Sequence, residues 1–202
     1  MVIDGVESEA PAGSTLLEFL EGGGDRLSRY CYDKRLGTSG NCRMCLVEVR
    51  GASKPIIGCT ELVRDGLEVF TASALIEKSK EGIVEFLLKN HPLDCPICDE
   101  GGECDLQEGS LTLGASRSRN YEDNRREVRV KYIDELVSGE MQRCILCSRC
   151  VRYGLDILGN NNLGLMGRSE KVEVFGSSVK TSDVELEGNV IDLCPVGFEI
   201  LN

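Results

Sequence analysis

Eleven cysteines and one histidine are the side chains in this 202-residue sequence best suited to hold a metal. The densest stretch, residues 91–107, reads HPLDCPICDEGGECDLQ and sets His91, Cys95, Cys98 and Cys104 in a single loop. Pro92 keeps the residue before it out of the helical region, so His91 is expected in extended chain just past a helix end. Gly101 and Gly102 permit a tight turn between Cys98 and Cys104, where successive amides can face an anion. The acidic residues Asp94, Asp99, Glu100, Glu103 and Asp105 crowd the same loop. Two objects suit these ligands: a zinc ion closed by three thiolates and one imidazole, or an iron–sulfur cluster with the same donors. The stretch alone does not separate them.

Counting over the whole chain adds a constraint. The twelve soft ligands fall into three groups of four with none left over: Cys31, Cys42, Cys45 and Cys59; the His91 loop; and Cys144, Cys147, Cys150 and Cys194. Disulfides fit poorly, because the number of cysteines is odd and no apolar signal peptide is present, and a reducing compartment is inferred. In the first group the gaps are ten, two and thirteen residues. The short pair and the remote fourth cysteine agree with plant-type ferredoxin spacing, and the longer first gap reads as an expanded loop. Structural zinc remains an alternative there. In the third group the Cys144-x-x-Cys147-x-x-Cys150 ladder is followed forty-four positions later by Cys194-Pro195. Bacterial ferredoxins use such a ladder, with their Cys-Pro ligand on a second cluster. Here one ladder and one Cys-Pro of this kind remain once the His91 group is set aside, so the natural closure is a single [4Fe-4S] site. Zinc rarely takes three thiolates at this spacing.

The elements that must position these ligands are short. Val2-Ile3, Asp4-Gly5 and Val6 spell strand, tight turn and strand. Thr15 and Glu18 have capping-box spacing ahead of Leu16, Leu17 and Leu20, and Gly22 to Gly24 stop that helix. Residues 46–49 alternate as a half-buried strand, and Ile56-Ile57 lead to Cys59. Ser73 is the N-cap of a helix through Lys89, with Ile76, Ile83, Val84 and Leu87 inward and Glu77, Lys78, Lys80, Glu81 and Lys89 mostly outward. That helix hands the chain to His91. Residues 117–131 carry six basic and three acidic side chains, a solvated connection or a docking strip for an acidic partner. Residues 151–158 read as a short helix and 172–175 as a strand. The whole is an α+β chain divided at 1–72, 73–112 and 113–202.

Composition agrees with small modules. Hydrophobic residues make up 41% and aromatics 5%, with no tryptophan, so the core must be divided and metal groups would staple the parts. A net charge of −11 argues against a nucleic-acid partner. No apolar run reaches bilayer length, so membrane association is expected only through an assembly. No nucleophile–base pair, phosphate-binding glycine loop or flavin signature is evident. No catalytic residue is expected, and neither NADH nor quinone should bind this chain.

The segments CYDKRLGTSGNCRMCLVEV, EFLLKNHPLDCPICDEGGECDLQ, RCILCSRCVRYG and GNVIDLCPVG follow in that order. Together they closely resemble the N-terminal iron–sulfur region of the large iron–sulfur subunit of respiratory complex I, particularly its mitochondrial form, over nearly the whole chain. The resemblance implies a β-grasp ferredoxin-like module with a [2Fe-2S] cluster on Cys31, Cys42, Cys45 and Cys59. It then implies helical, loop-rich modules with one [4Fe-4S] cluster on His91, Cys95, Cys98 and Cys104 and another on Cys144, Cys147, Cys150 and Cys194. In that family, electrons from NADH arrive through a neighbouring flavin subunit. They pass the binuclear, all-cysteine and histidine-ligated clusters in turn, then continue through the next iron–sulfur subunit toward ubiquinone. The implied place is the matrix-facing arm at the mitochondrial inner membrane, or the cytoplasmic face of a bacterial plasma membrane.

Two departures stand out. The family continues CPVGAL into a large domain resembling molybdopterin oxidoreductases, whereas this sequence reads CPVGFEILN, so that domain is expected to be absent or supplied by another chain. No Arg-rich transit segment precedes Met1, as expected of an organelle-encoded, trimmed or bacterial chain. The small diaphorase subunit of NAD-linked hydrogenases is similar over the same region and is short. A non-redox zinc scaffold is the alternative of a different class.

Overall fold

The computed structural model describes residues 1–23, 27–120, 125–128, 131–132, 137–176 and 188–201. A tight hairpin opens the chain: β1 (Val2–Ile3) and β2 (Val6–Glu7) pair antiparallel, Ile3 opposite Val6. Asp4 and Gly5 between them have φ of 48° and 85°, the mirror-image turn whose twist matches that of the strands. α1 (Leu16–Gly22) starts from the expected capping box, in which the Thr15 hydroxyl accepts from the Glu18 amide and the Glu18 carboxylate from the Thr15 amide. Gly23 caps its end, and Gly24 lies outside the described residues.

β3 (Leu46–Val49) alternates as expected, with Val47 and Val49 inward, and β4 (Ile56–Ile57) pairs with it. β5 (Glu68–Phe70) completes a sheet of order β2-β1-β5-β3-β4 in which only β1 and β5 are parallel. Parallel neighbours cannot be joined by a tight turn, and here β2, α1, β3 and β4 intervene between them. Leu16, Leu17 and Leu20 of α1 pack with Ile3, Val47 and Val69 of the sheet in one core. Each such buried side chain contributes about 1.5–3 kcal/mol relative to exposure.

α2 (Ala74–Leu88) is capped by the Ser73 hydroxyl, and its Ile76 and Val84 are buried. Lys80, expected on the outer side, is instead 6% exposed. Positions 76, 80 and 84 are successive i, i+4 neighbours, so the register that buries Ile76 and Val84 carries Lys80 inward with them. A single turn of 3-10 helix at Cys95–Ile97 precedes α3 (Asp105–Leu113).

The last third is built from short pieces. β6 (Lys131–Tyr132) and β7 (Val137–Gly139) pair antiparallel. α4 (Arg149–Arg152) runs on as π-helix over Tyr153–Ile157, the helix expected at 151–158. β8 (Leu163–Met166) and β9 (Glu173–Gly176) form a hairpin, β9 starting one residue later than expected. α5 (Asn189–Leu193) leads into Cys194, and β10 (Glu199–Leu201) joins β7 to complete a three-stranded sheet.

Two side chains of the basic segment are used within the chain. Arg119 pairs with Glu85 of α2, and Arg126 donates to Asn90 Oδ1 and to the Val172 carbonyl. Residues 121–124 and 129–130 of that segment lie outside the described residues. A second core gathers Tyr30, Cys31, Met44, Val84, Cys104, Leu106, Cys147, Cys150, Leu193 and Phe198, and thus touches all three ligand groups. Among the described residues no helix is long and apolar enough to cross a membrane.

Candidate metal centres

The first group lies on the seam between the two cores, with Cys45 and Cys59 in one and Cys31 in the other. Its loop turns through Gly37 and Gly40, both at φ 67°, and the space beside Gly40 is filled by Ile57, 3.1 Å from where a Cβ would stand. Arg43, between Cys42 and Cys45, is also left-handed at φ 59°. The sulfurs approach in two pairs: Cys42 donates to Cys31, and Cys45 to Cys59. The acceptors are pulled toward thiolate by those bonds, while the donors are pushed up by giving them and by burial. Backbone N–H groups of Asn41 and Cys42 also point at Cys31, and the Thr38 hydroxyl donates to Cys59 Sγ at 2.9 Å. Donors converging on buried sulfur are what an anionic centre requires.

In the second group, α2 ends at Leu88 with Lys89 as its cap, one residue short of the expected end, and delivers His91 in the loop beyond it. His91, Cys95 and Cys104 line one cavity with Val84, Leu88 and Leu106. Cys98 is not part of that lining and lies against Gly197, where a Cβ would come within 2.3 Å of its sulfur. Burial, then the nearby Arg143, lowers the His91 pKa against the opposing effect of Asp94, so the ring is held neutral. Its Nδ1 is buried without a hydrogen-bond partner among the described residues. A buried imidazole with an unused nitrogen fits a metal-bound role. Gly101 is pinned by the Cys95 carbonyl, 2.5 Å from a would-be Cβ, and Gly102 takes φ 102°. Cys104 caps α3, and the amides of Leu106 and Gln107 point at its sulfur; burial nonetheless pushes its thiol up. Of the acidic residues expected to crowd the site, Asp99 and Glu103 face solvent.

The third group is gathered as the ladder suggested. Cys144, Cys147, Cys150 and Cys194 line one cavity whose remaining wall includes Ile145, Val174, Val196 and Phe198. The ladder folds back because Leu146 and Ser148 are left-handed, at φ 57° and 65°. Such a conformation is rare for a leucine and persists only where the surroundings fix it. Among the described residues, no three His, Cys, Asp or Glu side chains close on a single ion position.

Residues outside the ligand sets tie the three sites together, and the spacing of the ligands carries no sign of them. Asn41 Nδ2 reaches the carbonyls of Leu146 and Cys147, each at 3.4 Å. Arg152 donates to the carbonyls of Leu36 and Gly37, at 3.2 Å each, and of Cys31. Arg143 bridges Asp94 and the Gly197 carbonyl, and Cys104 Sγ lies 3.8 Å from the Pro195 carbonyl. Tyr30 enters between the first and second groups, where a Cβ on Gly109 would meet its hydroxyl at 2.3 Å. The one available signal was an arginine beside each of two ladder cysteines in a buried motif.

Soft-ligand loops around buried cavities, hung on small sheets and short helices, are the architecture of an iron–sulfur protein. Three family models match in succession: a 2Fe-2S iron-sulfur cluster binding domain over residues 1–74, the NADH-ubiquinone oxidoreductase-G iron-sulfur binding region over 80–119, and the ferredoxin-like domain of NADH-quinone oxidoreductase subunit 3 over 134–198. Over nearly its whole length the chain is similar to part of the iron–sulfur subunits of NADH–quinone oxidoreductases. It is 48% identical to the NADH-ubiquinone oxidoreductase 78 kDa subunit of Neurospora crassa, over 98% of this chain and 27% of that one. It is 47% identical to the 75 kDa subunit of Reclinomonas americana, over 96% and 28%. With an NADH-quinone oxidoreductase subunit of the bacterium Rickettsia typhi the identity is 44%, over 98% and 29%. The chain thus spans less than a third of the length of these curated relatives. Among solved structures, a chain of an NAD+-reducing [NiFe]-hydrogenase in the H2-reduced state superposes with a TM-score of 0.87, covering 100% of this chain and 86% of that one at 23% identity, a likeness of fold alone.

Proposed function

We propose that this chain carries electrons within an NADH:ubiquinone oxidoreductase, between a flavin subunit that oxidises NADH and an iron–sulfur subunit nearer the quinone. One observation carries the reading: the twelve soft donors fall in three fours in the order of the three matching family segments, and the third four lines one cavity. Residues 1–72 form a β-grasp module with a [2Fe-2S] cluster on Cys31, Cys42, Cys45 and Cys59. Residues 73–112 hold a [4Fe-4S] cluster on His91, Cys95, Cys98 and Cys104, and residues 113–202 hold another on Cys144, Cys147, Cys150 and Cys194. Bound clusters supply one-electron transfer at potentials set by ligand identity, hydrogen bonding and burial. The chain's own work is to hold the ligands in place, keep water away from the sulfurs and aim amide and hydroxyl donors at them. It has no catalytic residue of its own, and meets the membrane only through the assembly, at the mitochondrial inner membrane on the matrix side or the inner face of a bacterial membrane.

Anaerobically purified protein should be brown, with iron and acid-labile sulfide in equal amounts and EPR spectra of both binuclear and tetranuclear centres. A colourless protein with stoichiometric zinc would make it a structural scaffold. The shared fold favours a second reading, a diaphorase subunit of an NAD-linked hydrogenase; co-purification with a nickel–iron subunit, and not with quinone-reducing ones, would establish that instead.

A further inference from the structure

Arg149 sits inside the ladder, between Cys147 and Cys150, yet its side chain leaves the ladder for two distant loops. Its guanidinium donates to the Tyr32 carbonyl at 2.9 Å and the Leu193 carbonyl at 3.1 Å, and lies 3.9 Å from the Asp105 carboxylate. Tyr32 follows Cys31, Leu193 precedes Cys194, Asp105 follows Cys104, and Arg149 itself precedes Cys150. One cation therefore stands a single residue along the chain from a ligand of every group.

Keeping that cation inside is costly. Arg149 is 7% exposed, and its Nε has no hydrogen-bond partner among the described residues. The Asp105 side chain is 42% exposed and too far for a hydrogen bond, so it neutralises the charge only loosely. Two carbonyls could be bridged by a neutral amide. What a neutral side chain lacks is a fixed positive charge in a poorly screened interior, where it acts on every centre around it. Adding an electron makes a cluster more negative, so a nearby cation favours the reduced state. Arg152 provides the contrast, because its guanidinium donates to the first loop, at Cys31, Leu36 and Gly37.

We propose that Arg149 is a positioning residue shared by all three sites: it ties three ligand-bearing loops together and holds the potentials of more than one centre above the values those loops alone would give. This rests on the iron–sulfur reading above. The test is an EPR-monitored redox titration of the anaerobically purified native assembly, with iron and sulfide counted in each sample. Arg149→Gln and Arg149→Met, two neutral side chains of different shape, should lower the midpoint potential of at least two centres. Arg149→Lys, which keeps the charge, should leave the potentials close to the wild type while lowering the thermal midpoint. If the neutral variants lose two or more centres where Arg149→Lys assembles all three, the cation is needed even for assembly, which also supports the proposal. A shift or loss confined to the all-cysteine centre of its own ladder would overturn it, as would Lys, Gln and Met variants that behave alike. Wild-type protein without iron or sulfide would instead overturn the iron–sulfur reading on which it rests.

Discussion

His91 brings a neutral imidazole where the other eleven proposed ligands bring thiols. Its site should be one negative charge lighter, which favours the reduced cluster, as histidine ligation does in Rieske centres. His91→Cys changes that charge while nearly preserving the surroundings. The expected outcome is a lower potential at this centre with little change at the others; an unchanged or higher value would show that His91 is not a ligand or that charge does not control. Cys147→Ala should abolish one tetranuclear signal and leave the other two centres assembled, because each ligand set is complete. Gly197→Ala should disturb a different one: its Cβ would stand 2.3 Å from Cys98 Sγ, so the histidine-ligated centre should be lost or altered in EPR while the binuclear spectrum persists. The proposed donors rest on type and number, since twelve fall into three fours. The conformations that aim them were less so. Arg43, Leu146 and Ser148 are left-handed without being glycine, and no residue type announces that.

Among the elements, the opening hairpin, the N-caps of α1 and α2 and the alternating β3 could be read from local pattern because each is decided by neighbours in sequence. Lys80 could not, because a charge at an i+4 position looks solvent-facing until the stripe through Ile76 and Val84 is fixed. The sheet joining β6, β7 and β10 could not either, since two- and three-residue strands from distant segments carry almost no periodicity. The α1 cap gives an element-scale test. Thr15→Ala removes the hydroxyl that accepts from Glu18 and should cost about 1 kcal/mol, read as a lower urea midpoint of the holo-protein. The Thr15 amide, more than its hydroxyl, holds the Glu18 carboxyl below its ordinary pKa. A depressed folded-state value means that this contribution is present above the ordinary carboxylate range and lost as pH falls through the folded value. Glu18→Gln should therefore narrow the difference from wild type under acid conditions, and a gap that stays constant with pH would count against the cap.

On the scale of the whole molecule, large apolar side chains remain uncovered around the second site. Leu93, Ile97 and Leu111 are each between 76% and 82% exposed, and Cys95 is exposed as well. Electron carriers need a donor and an acceptor close by, and in the proposed assembly neighbouring chains cover these residues. Expressed alone, the chain should lose its centres in air. Ile97→Asp should leave its circular dichroism unchanged and reduce its retention in the native assembly on gel filtration; full retention would place the neighbours elsewhere. The Asn41 contacts have a consequence for biosynthesis. They join positions 105 and 106 residues apart, so the first loop is synthesised long before the segment that closes over it. At roughly 5–20 residues per second, the ribosome leaves that loop uncovered for on the order of ten seconds. Were the first loop to take the proposed binuclear cluster, iron and sulfide would find it open in that interval, before Asn41 and Arg152 are engaged, and a maturation factor arriving later would have to reopen it.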